Sequence, residues 1–192
     1  KPFQERIAYY GAIKSLGQTL IKITAPGIPD IYQGTEYWDL SFVDPDNRRP
    51  VDFIGRNEYI TGAKEIKEQD LKKRLSHLKS SFQNGKIKIH LLHKALEFRK
   101  NHQDLFLEGE YLPLEITGEN AEKLIAFARK LGEKWALIIV PIYVTSLFDP
   151  MNFKPKDEVF SSLRITFPDT TPKKWKSCFL EKKFLSESGC TG

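Results

Sequence analysis

The sequence predicts an α/β segment that closes a (β/α)8 barrel, followed by an all-β antiparallel sandwich. Residues 3–101 carry apolar side chains at helical spacing, interrupted by a short apolar run at 28–33 between Gly27 and Gly34. That run opens into a long polar loop over 35–53, which is how a barrel strand delivers active-site groups from its C-terminal end. After residue 103 the period changes from helical to alternating. Strands that follow a run of helices mark a separate all-β unit. The boundary is expected near 101–106, dividing the chain into the end of a barrel over 1–103 and a sandwich over 104–192.

Each element has its own signal. Phe3, Ile7, Tyr10, Ile13, Leu16, Leu20 and Ile23 place one apolar face on a helix over 3–24, which Pro26 and Gly27 end. Ile28 and Ile31 then supply the barrel-type strand. Segments at about 56–66 and 69–81 are charged and amphipathic, the second with Leu71, Leu75 and Leu78 on one face. Asn84-Gly85 signals a turn, and a helix over about 87–101 carries Ile89, Leu92 and Leu96. Leu112, Leu114 and Ile116 alternate before Gly118. Lys123–Arg129 and Trp135–Tyr143 read as a hairpin about Gly132, with Trp135 and Trp175 as core residues. Residues 144–158, with Pro150 and Pro155, read as a loop. Leu163, Ile165 and Phe167 alternate again, Trp175–Leu185 reads as one more strand, and 186–192 has no strand character, so the last sheet is expected to be incomplete.

A chain of 192 residues can bury a sizeable core, but a complete barrel alone takes about 250 residues. A segment that closes a barrel is therefore expected to be a piece of a longer protein; Lys1-Pro2-Phe3 shows neither an initiator Met nor a signal-peptide pattern. No apolar run approaches the ~20 residues of a membrane span. The formal net charge is +5, but both signs are mixed, as in Lys64-Glu65 and Lys67-Glu68. That mixing describes a solvated helix surface and not a nucleic-acid-binding block. Cys178 and Cys190 are too sparse for a secreted disulfide scaffold, which favours a reducing cytoplasm. His77, His90, His93 and His102 lack metal-ligand spacing, so neither a metal nor a cofactor is expected.

The chemistry concentrates past Gly34, in Glu36, Tyr37, Trp38, Asp39, Asp44, Asp46, Asn47, Arg48 and Arg49. Rings for the apolar faces of a sugar and charged groups for its hydroxyls suit a carbohydrate ligand. Glycoside chemistry needs two carboxyl groups about 5–5.5 Å apart when configuration is retained. Asp44-Pro45 and Asp46-Asn47 read more simply as Asx turns, and the other carboxylates can pair with Arg48 and Arg49. Substrate positioning is the better-supported role. Arg48 offers planar donors, Asp44 accepts from hydroxyl pairs, and Asn47 does both. Arg49 precedes Pro50, which biases its backbone to extended geometry and its side chain toward structure. Tyr32, Tyr37 and Trp38 can stack on sugar faces; equally, Tyr32 can pack inside the barrel and Trp38 can clamp the loop. The candidate substrate-binding set is Tyr32, Glu36, Trp38, Asp44, Asn47 and Arg48.

The run PGIPDIYQGTE over 26–36 resembles the last barrel strand of the α-amylase superfamily, glycoside hydrolase family 13. The string DPDNRRPVDF over 44–53 is similar to its trehalose-forming branch. Ser15–Lys22, Leu96–Arg99, Leu105-Phe106, Gly109–Tyr111 and Ala126–Arg129 match the same family in the same order, covering roughly 3–140. The resemblance implies a retaining enzyme of trehalose biosynthesis, converting the reducing-end α-1,4 bond of a maltooligosaccharide to α,α-1,1 through a covalent glycosyl-enzyme. It implies that the nucleophile, the acid/base and a third Asp lie upstream of Lys1. No catalytic residue is then expected in this chain, which alone would be inactive. Its partners would be the upstream catalytic barrel of the same enzyme and the maltooligosaccharide, and loop 35–53 would help close the +1 pocket. The alternatives are a segment of another α-glucan hydrolase or debranching enzyme, or a non-catalytic carbohydrate-binding module. The module reading is disfavoured because a single barrel strand leaves its edges exposed.

Overall fold

The computed structural model describes residues 2–41, 43, 48–64, 70–149, 154–180 and 182–186. Helix α1 (Pro2–Thr24) buries Tyr9, Ala12, Ile13 and Ile23. The first part of its predicted stripe is open: Phe3 is 71% and Ile7 56% exposed. Gly27, at φ +107°, turns the chain away after Pro26.

The strand expected at 28–33 is not formed. Residues 28–32 carry no strand pairing, 33–36 make a turn, and Ile28 is 87% exposed. A parallel strand exists only where neighbours satisfy its N–H and C=O groups, and none of the described strands lies beside this one.

Helix α2 (Phe53–Lys64) begins about three residues before the predicted start. The reason is Asp52, whose Oδ1 accepts from the Gly55 amide at 2.9 Å and caps the first turn. Helices α3 (Leu71–Ser80) and α4 (Lys86–Asn101) follow the predicted periodicity closely. Between them a 3-10 turn over Phe82–Asn84 ends at Gly85, which is left-handed at φ 74°. A Cβ on Gly85 would lie 2.9 Å from the Trp38 amide nitrogen. Gly85→Ala is therefore expected to cost more than the ~1–2 kcal/mol of a left-handed alanine. Gly132→Ala, at φ +55° with open space around it, should cost only that conformational part. Denaturant midpoints of the two variants, compared with the parent, check the difference.

Helix α5 (Gln103–Leu107) leads into β1 (Glu110–Leu114), a short β2 (Ile116–Thr117), β3 (Leu124–Leu131) and β4 (Lys134–Pro141). The main sheet is antiparallel in the order β1-β3-β4, with the β3–β4 hairpin closing at Leu131↔Lys134 about Gly132. Strand β4 alternates, burying Ala136, Ile138 and Val140 while Ile139 faces out. Central β3 instead buries four consecutive residues, Ala126–Arg129, as a strand covered on both faces must. Phe127, Ala136, Ile138 and Val140 form one cluster with Leu105 and Phe106, and Leu20, Ile21 and Phe98 pack against it. This core therefore joins α1, α4 and α5 to the sheet across the expected boundary at 101–106.

The expected loop at 144–158 contains a one-turn helix α6 (Val144–Leu147), held because Val144 and Leu147 are buried. Of the alternating residues 163–167 only β5 (Arg164–Ile165) pairs, with β2. Trp175–Leu185 is a hairpin of two short strands, β6 (Lys174–Lys176) and β7 (Lys183–Leu185). Trp135 and Trp175 are half-buried, beneath Lys130 at 5.3 Å and stacked on Phe167 at 6.0 Å respectively. Among the described residues no helix is long and apolar enough to cross a membrane.

His90, on α4, is 5% exposed and neither ring nitrogen has a hydrogen-bond partner. Burial, with Arg74, Lys94 and His93 nearby, pushes its pKa down from 6.5 to about 4. Between those values the unfolded chain binds the extra proton, so the associated stability is complete above pH 6.5 and falls as the pH drops toward 4. The loss from pH 7 to pH 4.5 should be about 2 kcal/mol. His90→Phe should remove that part of the acid sensitivity in parallel urea titrations at the two pH values.

Candidate functional site

Residues 25–52 leave the C-terminal end of α1 and cross to the N-terminal end of α2, and three groups of contacts hold them. At the start, Arg99 Nη1 donates to the Ile23 carbonyl at 2.6 Å and Nη2 to the Gly27 carbonyl at 2.5 Å. Lys22 Nζ donates to the Asp30 carbonyl at 3.0 Å. In the middle, Gly34 adopts φ +94°. The Thr35 amide and hydroxyl both donate to the Tyr32 carbonyl, at 3.1 and 2.7 Å. Glu36 Oε2 accepts from the Gly34 amide at 3.0 Å and from Arg56 Nε at 2.8 Å. Arg56 also donates to the Asp52 and Gly34 carbonyls at 2.8 and 2.9 Å, and its guanidinium lies 4.8 Å from the Tyr37 ring centre.

The third anchor ties the loop to the turn before α4. Trp38 Nε1 donates to the Phe82 carbonyl at 2.6 Å, and Lys88 Nζ donates to the Tyr37 carbonyl at 3.1 Å. The Lys88 ammonium also sits 5.8 Å from the centre of the Trp38 ring. Burial, reinforced by the nearby charge of Lys22, lowers the Lys88 pKa from its ordinary value. Beyond this anchor, Asp39 Oδ1 accepts from the Ser41 hydroxyl and amide, at 2.5 and 2.9 Å. The Ser41 hydroxyl, then its amide, holds the Asp39 carboxyl below the usual range.

Two clefts border the segment. One of about 170 Å³ lies between α1, the loop and α4, with Lys22, Asp30, Tyr32, Thr35 and Lys88 among its lining. The other, about 280 Å³, is lined by Gln33, Asp39, Ser41, Arg49 and Arg56 among others. Tyr32 is half-exposed and lines the first cleft. Glu36 and Trp38 are engaged within the chain: the former is ion-paired with Arg56, and the latter donates its indole N–H to the Phe82 carbonyl. Asp44 and Asn47 lie outside the described residues. Arg48 is exposed and lines neither cleft, whereas its neighbour Arg49 lines the larger one.

Arg56, Lys88 and Arg99 were not singled out as site residues by sequence. Arg56 and Lys88 appear there as ordinary charges on amphipathic helices, and Arg99 only as part of a matched motif. The chemistry available in the described loop is binding and positioning. Asp39 is shifted away from the raised pKa that suits a general acid, and Glu36 is occupied by its arginine. Among the described residues no group of three His, Cys, Asp or Glu side chains gathers where a metal ion could sit.

No protein-family model matches the chain. Two curated Mycobacterium tuberculosis proteins, from strains CDC 1551 / Oshkosh and H37Rv, are each provisionally named a maltooligosyl trehalose synthase. Each is 39% identical over 115 residues, which is 60% of this chain and 12% of the relative. A crystal structure of a maltooligosyl trehalose synthase superposes with a TM-score of 0.65 at 28% identity, covering 96% of this chain and 21% of that one. The maltooligosyltrehalose synthase of Arthrobacter ramosus gives 0.64 at 26% identity, covering 93% and 20%. The chain is thus related to a partial, C-terminal segment of these enzymes, and it spans 12% of the length of the curated relatives it matches.

Proposed function

We propose that this chain, by its relation to the maltooligosyl trehalose synthases, is the C-terminal segment of such an enzyme. In this reading residues 1–103 close a (β/α)8 barrel of the α-amylase superfamily and 104–192 form a β-sandwich accessory unit. The observation that carries it is the structural likeness over 96% of the chain, joined to 39% sequence identity over 115 residues. The exposed apolar residues Phe3, Ile7, Ile28, Phe53 and Ile54 support it, since such side chains are usually buried against neighbouring elements. The segment 28–33 becomes a strand once parallel neighbours are supplied.

The activity proposed for the whole enzyme is intramolecular transglucosylation. The reducing-end α-1,4 bond of a maltooligosaccharide breaks, a glycosyl-enzyme forms, and the released glucose turns and attacks through its anomeric hydroxyl to give the α,α-1,1 bond. The nucleophile and acid/base belong to the upstream barrel. The loop closes the +1 pocket, and exclusion of water keeps glucose as the acceptor. Tyr32, Asp44, Asn47 and Arg48 are the proposed substrate contacts. Arg49 joins them because it lines the larger cleft.

The full-length protein incubated with maltopentaose should lose reducing ends and form a trehalose-ended product with little free glucose. The 192-residue chain alone should form neither. Chiefly hydrolytic release by the full-length protein would favour an ordinary α-glucan hydrolase. Turnover by the isolated chain, abolished by Glu36→Gln, would place a catalytic group in this loop and overturn the reading. Within the complete enzyme, Arg48→Ala and Arg49→Ala should each lower kcat/KM about tenfold. That corresponds to about 1.4 kcal/mol, the low end for a charged hydrogen bond. An arginine whose loss lowers the melting temperature but leaves kinetics unchanged is a brace and not a substrate contact.

A further inference from the structure

The polypeptide that carries the candidate site starts at Gly27, and a side chain from outside the loop grips it there. Arg99, near the C-terminal end of α4, bonds the Ile23 carbonyl in the last turn of α1 with one terminal nitrogen and the Gly27 carbonyl with the other, at 2.6 and 2.5 Å. A planar guanidinium that bridges two carbonyls fixes their spacing and direction together, which a lysine ammonium cannot do. Gly27 is left-handed at φ +107°, so this bridge sits at the turn where the chain changes direction between helix and loop. The guanidinium is itself held in place. It lies 5.1 Å from the centre of the Phe106 ring, and Arg129 lies 5.7 Å from the same ring. Phe106 is 2% exposed and belongs to the core shared with β3 and β4.

We propose that Arg99 is a positioning residue, which ties the sheet through Phe106 to Gly27 and so sets how residues 28–36 are presented at the site. The far end of that stretch is fixed separately by Glu36 and Arg56. Loss of Arg99 should therefore leave the end at Glu36 in place and let the start drift. The catalytic consequence rests on the proposed function, because only a closed acceptor pocket makes loop position a matter of product choice. The mechanical consequence does not.

The test uses the full-length protein with Arg99→Met, which keeps an unbranched apolar stem, and Arg99→Lys, which can keep one of the two bonds. Limited proteolysis within 25–33 should speed up at least tenfold in Arg99→Met and less in Arg99→Lys, with amide exchange in β3 and β4 unchanged. On maltopentaose, the fraction of free glucose should rise at least threefold in Arg99→Met, with an intermediate rise in Arg99→Lys. Unchanged cleavage within 25–33, or loss of amide protection across 124–141 to match it, would overturn the proposal and leave Arg99 as a general stabiliser. Local loosening with an unchanged product ratio would overturn its catalytic part. If the wild-type protein makes no trehalose-ended product yet the local loosening appears, the proposed function fails while the mechanical role of Arg99 stands.

Discussion

Arg129→Leu is expected to cost about 3–5 kcal/mol of folding stability, because it strands buried carbonyls at about 1–3 kcal/mol each. Arg129 lies on β3 and is 2% exposed. Its guanidinium donates to the carbonyls of Thr24 and Glu110 at 3.3 Å, Phe106 at 3.1 Å and Gly109 at 2.7 Å. These oxygens close α1, follow from α5 and open β1, so one side chain joins three elements that no continuous ladder connects. Thr24 and Phe106 lie where helices end with unpaired carbonyls, and the negative ends of those helices favour a cation. Leucine fills part of the volume but leaves the acceptors dry, and each unsatisfied buried group costs about 1–3 kcal/mol. Release from burying a charge offsets some of this.

Gly109 belongs to the same arrangement. A Cβ there would come 2.2 Å from the Leu105 carbonyl and 2.9 Å from that of Lys130, so only glycine lets the backbone present its oxygen to Arg129. Urea titration of Arg129→Leu and Arg129→Lys beside the parent checks the expectation, with lysine intermediate because it cannot span four acceptors. A leucine variant within 1 kcal/mol of the parent would show that the carbonyls find other partners.

The residues that made the fold legible are those whose partners are close in sequence. The periodicity of α1 and α4 reports local faces, and Gly132 and Asn84-Gly85 mark turns that need only their own backbone. The start of α2 was misjudged because Asp52 caps it from within a run of loop-like residues. Residues 28–33 form no strand in this chain for a different reason. Their apolar, glycine-bounded pattern states a capacity to be a strand, but strand formation depends on neighbours. Trp175–Leu185 has strand composition throughout, and its composition does not reveal the turn at 178–180 that makes it a hairpin.

The candidate site was legible as a place and less so as a set of roles. The concentration of rings and charges past Gly34 singles out one loop as the candidate, but not the contacts that hold it. Trp38 spends its N–H on Phe82, 44 positions away, and Arg99 reaches Ile23 across 76. Arg129 reaches Thr24 across 105. No local pattern encodes such pairings; the motifs Leu96–Arg99 and Ala126–Arg129 flagged the residues without revealing what they hold.

Arg56→Ala in the complete enzyme should lower kcat/KM by about one to two decades and shift products toward free glucose. Arg56 is the cross-brace of the loop. It pairs with Glu36 at 2.8 Å, bonds the Gly34 and Asp52 carbonyls, and covers Tyr37. The ion pair is well shielded, with side-chain exposures of 13% and 21%, so its charged hydrogen bonds should each hold about 1.5–3 kcal/mol. Removing Arg56 frees the Gly34 carbonyl and, among the described residues, leaves Glu36 bound to the Gly34 amide alone, beside the cleft that Arg49 lines. In the proposed mechanism a loosened loop admits water to the acceptor pocket, and 1.4–2.8 kcal/mol of lost positioning corresponds to the stated one to two decades. Glu36→Ala should reproduce most of the effect, and the double variant should be little worse than Arg56→Ala alone, because both remove the same contact. Arg56→Lys should keep the Glu36 pair and lose the Gly34 bond, giving an intermediate glucose fraction. If Arg56 instead touched substrate directly, Arg56→Ala would raise KM with an unchanged product ratio, and its effect would add fully to that of Glu36→Ala.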